Sequence, residues 1–127
     1  MSRKIRKNKL TQKKIADERI KILLEIADAR ALNKNFDSAN RYVTLARKIA
    51  MKYNARIKGE FKRKFCKFCY NHLMPGATSK VRLNSSKHRV EVKCFGCGKV
   101  MFYPYVREIK KRRVKLSEMT DYKNDIR

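Results

Sequence analysis

The sequence predicts an α+β protein, with an N-terminal antiparallel two-helix unit followed by a C-terminal ribbon of about three antiparallel strands. Three observations carry that expectation. Apolar residues recur at the helical period over residues 11–60, residue types alternate at period two over much of 78–105, and two Cys-x-x-Cys pairs bracket the alternating segment.

The helical unit follows from two stripes. After Thr11, a plausible N-cap, Ile15, Ala16, Ile20, Ile22, Leu23, Ile26, Ala27 and Ala31 fall on one broad face, which predicts a helix to about Leu32. Residues 33–37, NKNFD, form an Asn/Asp-rich connection with cap candidates at Asn35 and Asp37. Beyond it Ala39, Tyr42, Val43, Ala46, Ile49, Ala50 and Tyr53 recur at spacings of three and four, predicting a second helix that ends before Gly59. So short a connection makes the pair antiparallel. The alanine and tyrosine pattern resembles one unit of a tetratricopeptide array, but no second copy follows, which argues against a solenoid. Two helices cannot bury both apolar faces on each other, so part of the stripe is expected to meet another protein, with Ile22, Leu23, Ile26, Tyr42, Val43 and Ile49 as candidates.

The ribbon is expected over residues 61–107. TSKVRLN (78–84) and HRVEVKC (88–94) read as a hairpin around the turn residues NSSK, and KVMFYPY (99–105) as a third strand that Pro104 stops or confines to an edge. On either side of these two modules lie basic segments. Residues 1–10 carry little apolar surface and read as a flexible basic arm; residues 108–127 show only a weak helical pattern and read as a flexible basic tail.

Cys66 and Cys69, then Cys94 and Cys97 after a gap of 24 residues, give two C-x2-C knuckles. Each can aim two thiolates at one ion, and together they complete a tetrahedron of sulfur, so one structural zinc is the expected cofactor. Gly96 and Gly98 in CFGCG suit the tight, positive-φ turn of such a knuckle. A redox pair would leave the second C-x2-C unexplained, whereas rubredoxin-type iron uses the same four thiolates and stays open from sequence. His72 is left out of the ligand set and is expected at the surface or supporting a ligand, and His88 is expected to be exposed. The segment is poor in large apolar residues, so metal binding, which contributes roughly 10–16 kcal/mol in comparable modules, is expected to hold it folded.

The 35 Lys and Arg against 11 Asp and Glu give a net charge of +24, which calls for an anionic partner. Nucleic acid fits better than a membrane surface, since no apolar run approaches the ~20 residues that span a bilayer and no signal-peptide pattern is visible. The expected compartment is the reducing cytoplasm. Between residues 61 and 115 the basic residues are opposed only by Glu91 and Glu108. Lys62, Arg63, Lys64, Lys67 and Lys93 lie near the cysteines and would partly offset the negative charge of a four-thiolate centre. Lys62, Arg63 and Lys64, with Lys80, Arg82, Lys87 and Arg89 on the hairpin and Lys110, Lys111, Arg112 and Arg113 beyond it, are the candidate RNA-binding set. Tyr70, Phe95, Phe102, Tyr103 and Tyr105 are interleaved with them and could stack on unpaired bases or form a small core. No catalytic residues are assigned: there are two histidines, no phosphate-cradling glycine loop, and the nearest carboxylate pair, Glu25 with Asp28, lies on a helix with ordinary charge pairing.

These residues together resemble the ribonuclease P protein component 4 family. The likeness is carried by Arg63 ahead of the Cys66-x-x-Cys69 knuckle, LMPG at 73–76, Val81-Arg82, and CFGCG at 94–98 followed by Tyr103-Pro104, and it covers about residues 11–107. It implies an RNA-binding subunit of an archaeal-type ribonuclease P, in which a Mg²⁺-dependent RNA removes the 5′ leader of precursor tRNA and the protein supports RNA fold and substrate contact. Mg²⁺ would belong to the RNA and not to this chain. The resemblance further implies zinc on Cys66, Cys69, Cys94 and Cys97, partnership with ribonuclease P RNA, precursor tRNA and other protein subunits, and docking of the two helices on ribonuclease P protein component 1. The competing readings are a zinc-ribbon ribosomal protein and a zinc-ribbon transcription factor.

Overall fold

The computed structural model describes residues 3–125, with side chains described from Asn8 to Ser117 and at Met119. Four helices and three strands follow in the order α1 (Arg3–Leu32), α2 (Phe36–Tyr53), α3 (Gly59–Lys62), β1 (Ser79–Asn84), β2 (Arg89–Cys94), β3 (Val100–Pro104) and α4 (Val106–Asp125). Two segments differ in secondary structure from the expectation. α1 starts eight residues before Thr11, and most of the tail is helix, because both segments are rich in Lys and Arg, which are good helix formers. Residues 1–2 and 126–127 of the expected arm and tail lie outside the described residues. Among the described residues no helix is long and apolar enough to cross a membrane.

The helix pair is built on small residues. Ala16, Ile20, Leu24, Ala27 and Ala31 of α1 face Ala39, Val43, Ala46 and Ala50 of α2, and all nine are buried. Spacings of three and four keep each set on one line, and alanine lets the helix backbones approach closely. The line is narrower than the sequence stripe. Leu24, 1% exposed, is its largest fully buried side chain, whereas Ile15 and Ile22 are half exposed. The Asn35 side chain caps α2 by accepting from the Ser38 N–H at 3.3 Å, and Asn54 closes it in the left-handed conformation (φ 49).

The ribbon is a three-stranded antiparallel sheet in the order β1-β2-β3. Asn84 pairs with Arg89 across the first turn, where its side-chain oxygen accepts from the Lys87 N–H and the Ser86 hydroxyl. Pro104, at the end of edge strand β3, costs the sheet no ladder bond. In this register Val81, Val92 and Met101 share one face, where Leu73, Cys66 and Cys94 help bury Val92 and Met101 while Val81 stays half exposed; Arg82, Glu91 and Phe102 share the other, which faces solvent.

The two modules share their packing. Phe61 of α3 and Phe65 are buried in the helical core, with Met74 packed against it, while the adjacent Leu73 enters the ribbon core. LMPG is the hinge between them: the Met74 carbonyl accepts from the N–H groups of Ala77, Thr78 and Ser79, and Gly76 takes φ 89. His72 is buried, not at the surface. It donates its backbone N–H to Asn40 Oδ1 on α2 at 2.7 Å and its Nε2 proton to Asp28 Oδ1 on α1 at 2.8 Å, while Lys64 pairs with the other Asp28 oxygen.

Asp28→Ala would leave the His72 imidazole buried without its acceptor. We expect a loss of about 1–3 kcal/mol in urea unfolding of the metal-loaded chain, with little change in helix content by circular dichroism.

Candidate metal centre and nucleic-acid interface

The two knuckles are built alike. In the first, the Cys66 N–H donates to the Asn71 carbonyl and the Cys66 carbonyl accepts from the Tyr70 N–H, both at 2.9 Å; in the second, Cys94 makes the same bonds with Lys99 and Gly98 at 3.0 and 2.9 Å. The residue after each second cysteine takes a left-handed backbone, Tyr70 at φ 61 and Gly98 at φ 72. Gly96 has a different reason from the one expected. Its φ is not positive; instead a Cβ there would lie 2.9 Å from Asn71 Nδ2 and within 3.7 Å of the Cys94 and Cys69 sulfurs.

The four sulfurs converge. Cys66 Sγ lies 3.6 Å from Cys97 Sγ, Cys69 Sγ 3.6 Å from Cys94 Sγ, and all four lie within 4.8 Å of one another. A tetrahedron with Zn–S bonds of about 2.3 Å has edges of about 3.8 Å, so the set could hold a metal ion such as zinc. Burial pushes the Cys69 thiol up to about 12. At Cys66 burial is outweighed by hydrogen bonds from the Cys69 and Phe68 backbone and from the Cys69 and Cys97 thiols, which bring it down to about 7. A metal arriving at neutral pH therefore displaces protons, and its hold weakens as pH falls.

The candidate cations divide by their surroundings. Lys80 and Arg82 are exposed on the outer sheet face with Lys93 and the half-exposed Phe102. Arg89 shares that face but is engaged: it pairs with Glu91 at 3.0 Å and lies 4.0 Å over the Phe102 ring. Hydrogen bonds from Asn84 and Arg89 hold the Glu91 carboxyl below the usual carboxylate range. Lys64 is likewise drawn into the Asp28 pair, which makes it a tie between the modules before it is an RNA contact. Arg63 stands over the Tyr103 ring, Lys62 is exposed beside it in sequence, Lys87 is exposed at the hairpin turn, and Lys110, Lys111, Arg112 and Arg113 are exposed on α4.

Among the candidate partner contacts, Ile22 is exposed and Leu23, Ile26, Tyr42 and Ile49 are half-buried, whereas Val43 is fully buried and holds the helices together. Sequence reasoning set Asp28 aside as an ordinary helix carboxylate beside Glu25, and it missed Asn40 and Arg47, the last stacked 3.2 Å over the Tyr70 ring. One signal for Asp28 was present: it falls one turn after Leu24, so an acid sits beside the apolar stripe.

Comparison with known proteins bears on the whole arrangement. The family described as the RNAse P Rpr2/Rpp21/SNM1 subunit domain matches residues 19–98. Ribonuclease P protein component 4 of Thermococcus sibiricus is 42% identical over 89% of this chain and 96% of its own length, and that of Methanocaldococcus jannaschii is 44% identical over 89% and 90%. Among solved structures, a chain of an archaeal ribonuclease P with mature tRNA superposes with TM-score 0.72 at 44% identity, covering 86% of this chain and 92% of that one. The structure of Pfu Rpp21 gives TM-score 0.53 at 39% identity, covering 70% and 98%.

Removing the metal should unfold the ribbon and spare the helix pair, whose core is independent of the sulfurs. Chelator titration followed by circular dichroism is expected to abolish the strand signal and keep most of the helical one; an unchanged strand signal would show that the sheet stands without metal.

Proposed function

The chain belongs to the ribonuclease P protein component 4 family, and we propose that it binds RNA within a ribonuclease P that removes the 5′ leader of precursor tRNA. The RNA subunit is the catalyst, and this protein supports the RNA fold and the contact with substrate. The observation that carries this reading is the likeness, at 44% identity, to a chain of an archaeal ribonuclease P with mature tRNA. The family matches support it and do not support a ribosomal protein or a transcription factor.

In this reading Cys66, Cys69, Cys94 and Cys97 hold one structural zinc, while Mg²⁺ serves the RNA. The outer sheet face, with Lys80, Arg82 and Phe102, lies on RNA, and the basic segments 1–10 and 108–127 extend that contact. Ile22, with the half-buried Leu23, Ile26, Tyr42 and Ile49 around it, meets ribonuclease P protein component 1. The assembly works in the cytoplasm. Support for the sheet face comes from its chemistry: exposed cations flank an aromatic ring, and its one acid, Glu91, is already neutralised by Arg89.

Affinity capture of the tagged chain with sequencing of the bound RNA tests the reading. One structured RNA with leader-cleaving activity on precursor tRNA is expected; ribosomal RNA alone would overturn it. On that RNA, Arg82→Ala should lower the slope of log affinity against log salt by about 0.7–0.9, the share of one phosphate. Arg89→Ala should change it less, because Glu91 already takes part of that charge.

A further inference from the structure

A cleft of 660 Å³ opens between the C-terminal half of α2 and the first knuckle. Arg47 and Arg56 line it from the helical side, Lys62 and Lys67 from the ribbon side, with the rings of Tyr70 and Tyr103 between them. Among the described residues no carboxylate lines it. Its volume lies within the range of about 300–1,000 Å³ typical of small-ligand sites, and its chemistry suits an anion attached to a flat ring.

Tyr70 is the second observation. The left-handed backbone is strained for a residue with a bulky side chain. At the matching position of the other knuckle stands Gly98, which makes the same bond to the first cysteine without that strain. The knuckle thus does not require the tyrosine ring, and an outlier of this kind points toward a use elsewhere. That ring lies under the Arg47 guanidinium at 3.2 Å, giving a planar cation and an aromatic plane at one wall of the cleft.

We propose that this cleft takes one unpaired nucleotide of an RNA strand, its base stacked on the Arg47–Tyr70 pair and its phosphates held by Arg56, Lys62 and Lys67. A base inside a duplex cannot present its face in this way, so the site selects single-stranded or bulged RNA. It is separate from the outer sheet face, and it rests on the reading of the chain as an RNA binder.

The test uses the full, zinc-loaded chain with three probes: a short labelled single-stranded RNA, a blunt RNA hairpin closed by a non-nucleotide linker so that every base is paired, and AMP as competitor. Tyr70→Gly should weaken the single strand about tenfold, the order expected for one lost base stack, and leave the hairpin and the zinc content unchanged. Tyr70→Phe should bind as the natural chain does. Arg56→Ala, which touches neither the knuckle nor the ring, should lower the salt slope for the single strand by about 0.7. The inference is overturned if Tyr70→Gly binds the strand normally, if it weakens strand and hairpin equally, or if AMP binds as tightly as the strand, which would make this a free-nucleotide site. A natural chain that bound neither RNA would overturn the functional reading as well, so the two failures are distinguishable.

Discussion

The arrangement of this protein depends on one carboxylate. Asp28, on α1, receives the His72 imidazole on one oxygen and the Lys64 ammonium on the other. Both donors belong to the segment around the first knuckle, and the backbone of the same histidine also reaches Asn40 on α2. One buried residue of the ribbon is thereby fixed to both helices at once. Hydrogen bonds to a charged acceptor are the stronger kind, and this one is sheltered by the almost complete burial of His72. Apolar packing joins the modules as well, with Phe61 and Phe65 buried in the helical core and Met74 packed against it.

Each module has its own internal staple, and neither would set the angle between them. The helices meet along a line of alanines, which brings their backbones together but contributes little apolar area per residue. The ribbon gathers four sulfurs around a core of Leu73, Val92 and Met101, too little apolar burial to hold a sheet unaided. The polar tie and the LMPG turn, which sends Leu73 into one core and Met74 into the other, join these two economies of small cores into one body. The consequence for function is geometric: the cleft of Arg47, Arg56, Lys62 and Lys67 exists only while ribbon and helices keep their places.

Much of this was legible in the sequence, and the reasons are physical. Periodicity found both helices of the pair because each buries one face, and it found the strands from the alternation of residue types, although Val81 and Leu83 of β1 remain exposed. Cysteine spacing found the cluster of four sulfurs because two thiols on a three-residue rise constrain the chain locally. What escaped was the contact between modules. Asp28, Asn40 and His72 lie far apart in sequence, no periodicity links them, and each taken singly reads as an ordinary surface group. Gly96 and Gly98 looked alike in sequence, yet one is required for space and the other for φ. The early start of α1 and the helix at the tail were missed for a third reason: Lys- and Arg-rich segments adopt helix by propensity without leaving an apolar stripe.

The central claim is that Asp28 sets the orientation of the ribbon on the helices. Residual dipolar couplings of backbone amides in the zinc-loaded chain, compared with Asp28→Ala, test it most directly. The account predicts that helix and strand couplings of the natural chain fit one common alignment and that those of the variant need two. Separate alignments in the natural chain, or a single one retained in the variant, would contradict it.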